Sequence, residues 1–452
     1  MKNMSKVVKF GGSSVASAAQ LKKVVEIIKS DSDRKFVIVS APGKRDASDT
    51  KVTDLLIAYY QTYKAGKSVG EVQDQIVERY AEIARELELD DEIIREIAYS
   101  LHELATLDKE NRFTYDTFLA AGEDNSAKLV AAFFTKAGLP ARYVSPEDAG
   151  IFVSEEPSNA RLLIESYDQL NYLNELSEIV VIPGFFGVTK KGEVCTFSRG
   201  GSDITGSIVA AGVKADLYEN FTDVDGIFAV NPKIIENPEA IHEVTFREMR
   251  ELAYSGFSVL HDEALVPAFR AGISIVIKNT NNPDHPGTRI VLEHSENFAP
   301  VVGIASDNGF STLNLSKYLL NREIGFGRKI LLVLEEFGVR FEHMPTGIDD
   351  ISVIMRDAFL GKETEKLILD KLAETLHPDV LNFEHNLSIV MLVGEGMREH
   401  IGVTARAAKA LSDSNVNIRM LSQGASEYSI MFVVKSIDEE KAVQALYQTF
   451  FW

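Results

Sequence analysis

Across the first 290 or so residues, short apolar runs alternate with longer amphipathic stretches. Val7-Val8-Lys9-Phe10, Phe36 to Val39, Ile179 to Ile182 and Ile273 to Ile277 read as strands. Between the first two, Leu21, Val24, Val25 and Ile28 fall on one helical face, with Ser13 and Ser14 ahead of them as N-cap candidates. Residues 78–108 read as a charged helical stretch with Ile93, Ile94 and Ile97 as its apolar stripe. Strands alternating with helices predict an α/β fold, a mainly parallel sheet sandwiched by helices. In such sheets ligands bind beyond the carboxyl ends of the strands, and the Gly-rich turns of this chain fall there.

The pattern changes after Asn281-Asn282-Pro283-Asp284-His285-Pro286-Gly287, a segment dense in turn formers. Beyond it lies a repeat. A shift of 77 positions superimposes Ser311 on Ser388, Leu315 on Leu392, Ile324 on Ile401, Gly325 on Gly402, Leu334 on Leu411, Val339 on Val416, Gly347 on Gly424 and Ser352 on Ser429. Each copy reads strand, Ile-Gly loop, amphipathic helix, strand, Gly turn, strand. Two such small units can pair to bury their open faces, although chance similarity would also produce scattered identities.

Composition narrows the class. With 47 Lys and Arg against 67 Asp and Glu over 452 residues, the formal net charge is −20, which argues against a nucleic-acid binder. No apolar run reaches about 18 residues, and the N-terminus carries no apolar stretch of signal-peptide type. A single cysteine, Cys195, excludes an internal disulfide framework and a Cys-based zinc site. The expectation is a cytoplasmic, multidomain protein.

Several turns carry candidate chemistry. Lys9-Phe10-Gly11-Gly12-Ser13-Ser14 joins a strand to a helix, so that exposed backbone N–H groups and the helix N-terminus can receive an anion within reach of Lys9. It has neither Walker A nor dinucleotide-binding spacing, and a plain tight turn accounts for the same residues. Arg199-Gly200-Gly201-Ser202-Asp203 opens a second helix, expected over Ile204 to Ala211. Its Arg suits a carboxylate, or else forms an Arg–Asp pair in a solvated turn. Thr222-Asp223-Val224-Asp225-Gly226-Ile227-Phe228, followed by Asn231-Pro232-Lys233, suits a nucleotide or a capped β-turn. Glu123 and Asp124 follow Gly122 at an expected helix start, where carboxylates complement the dipole or receive a ligand ammonium. The histidines lack metal-ligand spacing. His261 reads as structural and Cys195 as a small buried hydrophobe.

Together these motifs resemble the aspartate kinases of the amino-acid-kinase superfamily. Lys9 to Val15, Ser40-Ala41, Gly122-Glu123, Gly184-Phe185, Arg199 to Asp203 and Thr222-Asp223 stand in the family's order, and Asn417 to Ser426 resembles its second ACT domain. The resemblance implies an amino-acid-kinase catalytic domain over 1–292. It further implies two C-terminal βαββαβ ACT domains, the first over 307–385 and the second built from 300–306 with 386–452. The implied reaction moves the γ-phosphoryl group of ATP to the β-carboxylate of L-aspartate.

The same resemblance assigns roles. Lys9 would neutralise the transferring phosphoryl group, and Asp203 would organise that lysine and the nucleotide. Arg199 would grip an aspartate carboxylate with Ser40, Thr53 and Ser202, while Glu123 would take the ammonium and Phe185 would wall the pocket. Gly11, Gly12, Ser13, Gly200 and Gly201 would cradle phosphates. Thr222, Asp223, Phe228, Lys233 and Ser258 would contact ATP, with Mg²⁺ bridging its phosphates. Gly325, Phe326, Gly327, Val339 and Glu342 would meet an effector amino acid, lysine or threonine or both, in a homodimer or dimer of dimers. A carboxylate nucleophile is already ionised at neutral pH, so no His–Asp or Cys–His base is required.

Two departures stand out. Ser258 occupies a position where the family commonly carries Lys, and the stretch between Ser40 and Thr53 is extended by Gly43-Lys44-Arg45-Asp46. Lys44 and Arg45 are candidates to replace the lost charge. Two other readings remain open: a kinase of glutamate, acetylglutamate or uridylate on the same fold, and a non-catalytic amino-acid sensor.

Overall fold

The computed structural model describes residues 4–198, 200–257, 259–295, 299–424 and 427–452. Arg199 and Ser258 lie outside the described residues. The chain divides into two compact units, one formed by Met1–Ile227, Ala240–Arg250 and Ser258–Ser295, the other by Phe228–Glu239, Glu251–Phe257 and Glu296–Trp452.

The first unit is built on an eight-stranded sheet. Its spatial order is Glu243–Thr245, Thr288–Val291, Ile275–Asn279, Leu217–Thr222, Lys6–Phe10, Arg34–Val39, Ile179–Pro183 and Ala141–Tyr143. Every neighbouring pair is parallel except Ile275–Asn279 with Thr288–Val291. The central strands are buried on both faces, which explains their continuous apolar runs rather than strict alternation. One helical layer packs Leu21, Val24, Val25 and Ile28 with Leu56, Tyr59, Ile76, Phe118 and Phe134 against Val8, Phe10, Val37 and Val39. The strand at the centre, Lys6–Phe10, has its sequence neighbour Arg34–Val39 on one side and the distant Leu217–Thr222 on the other. That reversal of strand order opens a crevice beyond the carboxyl ends, and Lys9-Phe10-Gly11 runs into it.

Local details differ from the sequence reading. Ser13 and Ser14 belong to a short 3₁₀ turn, Gly12–Val15, and the helix Ala18–Lys29 is capped instead by Ser17, whose hydroxyl accepts the Gln20 N–H at 3.3 Å. The charged stretch 78–108 is two helices, Gly70–Glu86 and Asp91–Leu104. Between them Glu88 takes a left-handed φ of 55° and Leu89 N–H returns to the Ala84 carbonyl at 2.9 Å, which ends the first helix. Glu123 and Asp124 lie in the middle of a long helix, Thr114–Lys136, rather than at a start. The second Gly-Gly turn opens its helix early, at Gly201–Val213.

The second unit holds a five-stranded antiparallel sheet ordered Asp350–Arg356, Gly303–Ser316, Val380–Val393, Ser429–Lys435 and Met420–Gln423. Two strands of 14 residues run its full width. The leading half of Gly303–Ser316 pairs with Ser388 to Val393, and its trailing half, past a register shift at Asn308/Phe310, pairs with Asp350–Arg356 and with Val380 to Leu387. Helices Phe326–Glu336 and Lys362–Leu376 share a core with Leu313, Leu315, Val353 and Met355. Helices Val403–Asp413 and Glu439–Phe451 hold the corresponding place in the other copy. The strand expected after the first copy's helix shrinks to isolated bridges, His343 with Ile354 and Thr346 with Ile351. Pro345 lacks an N–H for the ladder between them.

Candidate active site

Lys9 is the penultimate residue of the central strand, opposite Asn220 of Leu217–Thr222. Only 8% of it is exposed, and its Nζ sits 2.6 Å from Asp203 Oδ1. Asn220 Nδ2 donates to the same oxygen at 2.9 Å. Asp203 stands in the first turn of helix Gly201–Val213, where the helix dipole favours a carboxylate. A buried cation is thus held by one carboxylate, which is in turn oriented by an amide.

Glu123 reaches the same region because its helix approaches the loop after strand Arg34–Val39 very closely. A Cβ on the preceding Gly122 would lie 2.9 Å from Ala41 Cβ and 3.0 Å from Leu56 Cδ1, so only glycine allows that seat. Glu123 is 6% exposed; the Ala41 N–H hydrogen-bonds its carboxyl group, and its Oε2 has no hydrogen-bonding partner. Burial pushes its pKa up from 4.5 to about 8, against the lowering influence of the Ala41 amide and of Lys9. A buried, under-partnered carboxyl facing a cavity is poised to bind a cation.

The opposite wall comes from the turn after strand Ile179–Pro183. Phe185 adopts a left-handed φ of 78°, unusual for an aromatic residue. Two hydrogen bonds hold it there: its N–H donates to Thr205 Oγ1 at 3.0 Å and its carbonyl accepts the Phe197 N–H at 2.8 Å. Phe197 follows the hairpin Phe186–Val188 and Val194–Thr196. That hairpin is anchored by the fully buried Asp116, which accepts from the Thr196 N–H at 2.7 Å and hydroxyl at 3.0 Å. The same carboxylate accepts from the Ser158 N–H at 2.7 Å and hydroxyl at 2.8 Å.

Lys9, Gly12, Ser13, Ser40, Thr53, Glu123, Phe185, Gly200, Gly201, Ser202, Asp203 and Asp223 together line one cavity of about 560 Å³. Gly11 adjoins it, its N–H donating to the Phe221 carbonyl at 3.1 Å, and Thr222 ends the neighbouring strand with its hydroxyl 3.2 Å from Asp223 Oδ1. Phe228 and Lys233 belong to the second unit and are not among the lining residues. Asp203 pairs with Lys9, not with an arginine, among the described residues. Cys195 is fully buried on its strand, with burial pushing its thiol up to about 12.

Sequence reasoning missed Lys51, Asn220 and Asp116. Lys51 lines the cavity immediately before helix Val52–Lys64, and Asp116 lies seven residues before Glu123, on the same helical face, a spacing that was visible. Of the two loop cations, Lys44 lines the cavity, whereas Arg45 pairs with Asp49 at 2.9 Å and with Glu82.

In the second unit, Gly325 is the left-handed N-cap of helix Phe326–Glu336, with Gly327 in that helix's first turn. Phe326 and Val339 are buried core side chains. Glu342 accepts from Arg356 Nε at 3.1 Å and from the Tyr254 hydroxyl.

The amino acid kinase family matches residues 4–279, and the ACT domain family matches residues 390–450. Aspartokinase 3 of Bacillus subtilis is 57% identical over 447 residues, covering 99% of this chain and 98% of that protein. The chain belongs to the aspartokinase family. A crystal structure of aspartate kinase from Clostridium acetobutylicum, described as an allosteric enzyme, aligns at 41% identity and a TM-score of 0.86, covering 98% of this chain and all of the other. E. coli aspartokinase III aligns at 25% identity over 99% of this chain. Its complex with aspartate and ADP, the R-state, gives a TM-score of 0.76, and its complex with lysine and aspartate, the T-state, gives 0.73. This aspartokinase is therefore an ATP-dependent kinase of aspartate with a C-terminal ACT region. Among the described residues, no helix is long and apolar enough to cross a membrane.

Proposed function

We propose that the cavity performs aspartate phosphorylation through positioning and charge neutralisation alone. The single observation that carries this reading is the buried Glu123 carboxyl, with one oxygen unpartnered, in the same cavity as the Lys9–Asp203 pair. Glu123 takes the substrate ammonium, whose arrival restores the ionised carboxylate that burial disfavours. Arg199, Ser40, Thr53 and Ser202 hold the carboxylates and Phe185 closes the wall. The free β-carboxylate then attacks the γ-phosphorus, ADP leaves, and 4-phospho-L-aspartate forms. No base is needed, because the attacking oxygen carries no proton at neutral pH.

Gly11, Gly12, Ser13, Gly200 and Gly201 offer backbone N–H groups to the phosphates, and Lys9 neutralises charge that builds on the transferring group. Thr222, Asp223, Phe228, Lys233 and Ser258 are assigned to the nucleotide. Among the described residues no cluster of three potential ligands could hold a metal ion without help. The donor set, the Asp203 and Asp223 carboxylates beside a phosphate cradle, fits an Mg²⁺ that arrives with ATP and draws most of its ligands from phosphate and water. Such an ion supplies further charge neutralisation.

The domain reading assigns 1–292 to catalysis, 307–385 to one ACT unit and 300–306 with 386–452 to the other. Support comes from the two long strands, each of which serves both copies. Gly325, Phe326, Gly327, Val339 and Glu342 form the effector segment. Lysine is favoured as the effector because the E. coli relative is described bound to it. The assembly is a homodimer or dimer of dimers through the ACT units, in the cytoplasm, at the aspartate-consuming step toward lysine, threonine and methionine.

The test is calorimetric titration of the full chain and of Glu123→Gln with L-aspartate, L-glutamate and N-acetyl-L-glutamate, repeated with lysine and threonine. Aspartate binding that Glu123→Gln weakens at least tenfold supports the reading, on the scale of a lost charge-assisted contact. Equal affinity in both proteins overturns it.

A further inference from the structure

The cavity holds cations to which the reading above gives no role. Lys44 and Lys51 line it, and among the described residues neither enters an ion pair. The backbone around Lys44 is fixed. Gly43 N–H donates to the Gly12 carbonyl at 2.9 Å, and a Cβ on Gly43 would lie 2.8 Å from the Gly12 carbonyl carbon. The loop therefore rests backbone to backbone on the proposed phosphate turn, a fit that requires glycine.

A buried guanidinium clasps both pieces. Arg79, on helix Gly70–Glu86 and 4% exposed, donates from Nη2 to the Ala16 carbonyl at 2.8 Å and to the Gly43 carbonyl at 3.0 Å. The same atom lies 3.2 Å from Asp49 Oδ2. Asp49 in turn receives Arg45 Nε at 2.9 Å and Nη2 at 2.9 Å, while Arg45 Nη1 reaches Glu82. Of two adjacent cations, Arg45 is thus tied to the helix side of the loop, and Lys44 is left for the cavity.

We propose that segment 43–49 is a fixed arm that presents Lys44 to the nucleotide polyphosphate as a second cation alongside Lys9. Arg79 is the positioning residue that holds the arm and the phosphate turn in one register. The proposal rests on reading Gly11 to Ser13 as the phosphate cradle. Lys44 is assigned to phosphate because its neighbour Gly43 abuts Gly12. Lys51 also lines the cavity, two positions before Thr53, and is assigned with it to aspartate.

The test uses the full chain with ATP and aspartate in steady state, together with calorimetric binding of ADP. Lys44→Met should raise the KM for ATP and weaken ADP binding about tenfold, lower kcat, and leave the KM for aspartate within about twofold. Arg79→Lys should shift the same parameters in the same direction. Asp49→Asn, a milder change, should do so by less. Lys51→Met should raise the KM for aspartate instead. Wild-type ADP affinity and KM for ATP in Lys44→Met overturn the proposal, as does the ATP phenotype appearing in Lys51→Met in its place. A wild-type chain that binds ADP without turning over aspartate would refute the kinase reading, while the ADP titration of Lys44→Met would still decide this one.

Discussion

Lys9 Nζ lies 2.6 Å from Asp203 Oδ1, although the two residues come from different turns of the fold and are 194 positions apart. Strand Lys6–Phe10 brings one, helix Gly201–Val213 the other, and Asn220 between them fixes the carboxylate. The pair holds the buried lysine in place at the cavity wall before any anion arrives.

That pairing makes Lys9 a group for the transition state more than for ground-state binding. Lys9→Met is expected to lower kcat by about 10²–10³-fold, with ADP affinity falling less than about tenfold. Steady-state kinetics alongside ADP titration check the split. A purely proportional loss in both would place Lys9 in binding alone.

Glu123 predicts a pH dependence with a definite sign. Its pKa is raised from 4.5 to about 8 by burial, so between those values the native state holds a proton that the unfolded chain has released. Native stability therefore falls as pH rises through that window and levels off above about 8. Urea denaturation from about pH 5 to about pH 9 should show this slope in the free enzyme, and Glu123→Gln should flatten it. Saturating aspartate should also flatten it, by pairing the charge.

Asp116 is the anchor of the hairpin that precedes Gly200 to Asp203. Asp116→Asn keeps the shape but replaces an acceptor-only group facing four donors. A stability loss of about 2 kcal/mol is expected from denaturant titration, together with a raised KM for aspartate. Loss of stability with an unchanged KM would show that the hairpin does not set the pocket.

In the ACT region, Ile330 and Leu334 are fully buried between helix and sheet. Ile330→Ala should cost about 2–5 kcal/mol in the unit it belongs to, seen as an earlier calorimetric transition, and should abolish inhibition by the effector amino acid. Inhibition that survives the shifted transition would separate the effector site from this core.

What the sequence made legible was local in kind. The Gly11-Gly12 and Gly200-Gly201 turns could be placed because glycines, strand ends and helix starts sit next to one another in the chain, and all but one of these glycines line the cavity, with Gly11 beside it. The repeat was legible for the same reason, since a fixed shift exposes it. Helix boundaries were less so: Ser17 displaced Ser13 and Ser14 as the cap, and Glu123 proved to be mid-helix because Gly122 serves a close approach and does not break the turn. Asn220 and Arg79 went unread because their partners lie 17 and up to 63 positions away, and for Asp116 the spacing from Glu123 was visible but the partner 80 positions on was not. The burial of Phe326 and Val339 in the second unit's core depends on packing between distant elements and was not readable from the chain order.

The most direct test of the central claim is ³¹P NMR of the full chain incubated with ATP, Mg²⁺ and L-aspartate, run beside Lys9→Met and with hydroxylamine added at the end. The account predicts an acyl-phosphate resonance with wild type, converted quantitatively to the hydroxamate, and none above background with Lys9→Met. ADP and free phosphate without an acyl phosphate, or an undiminished acyl phosphate from Lys9→Met, would contradict it.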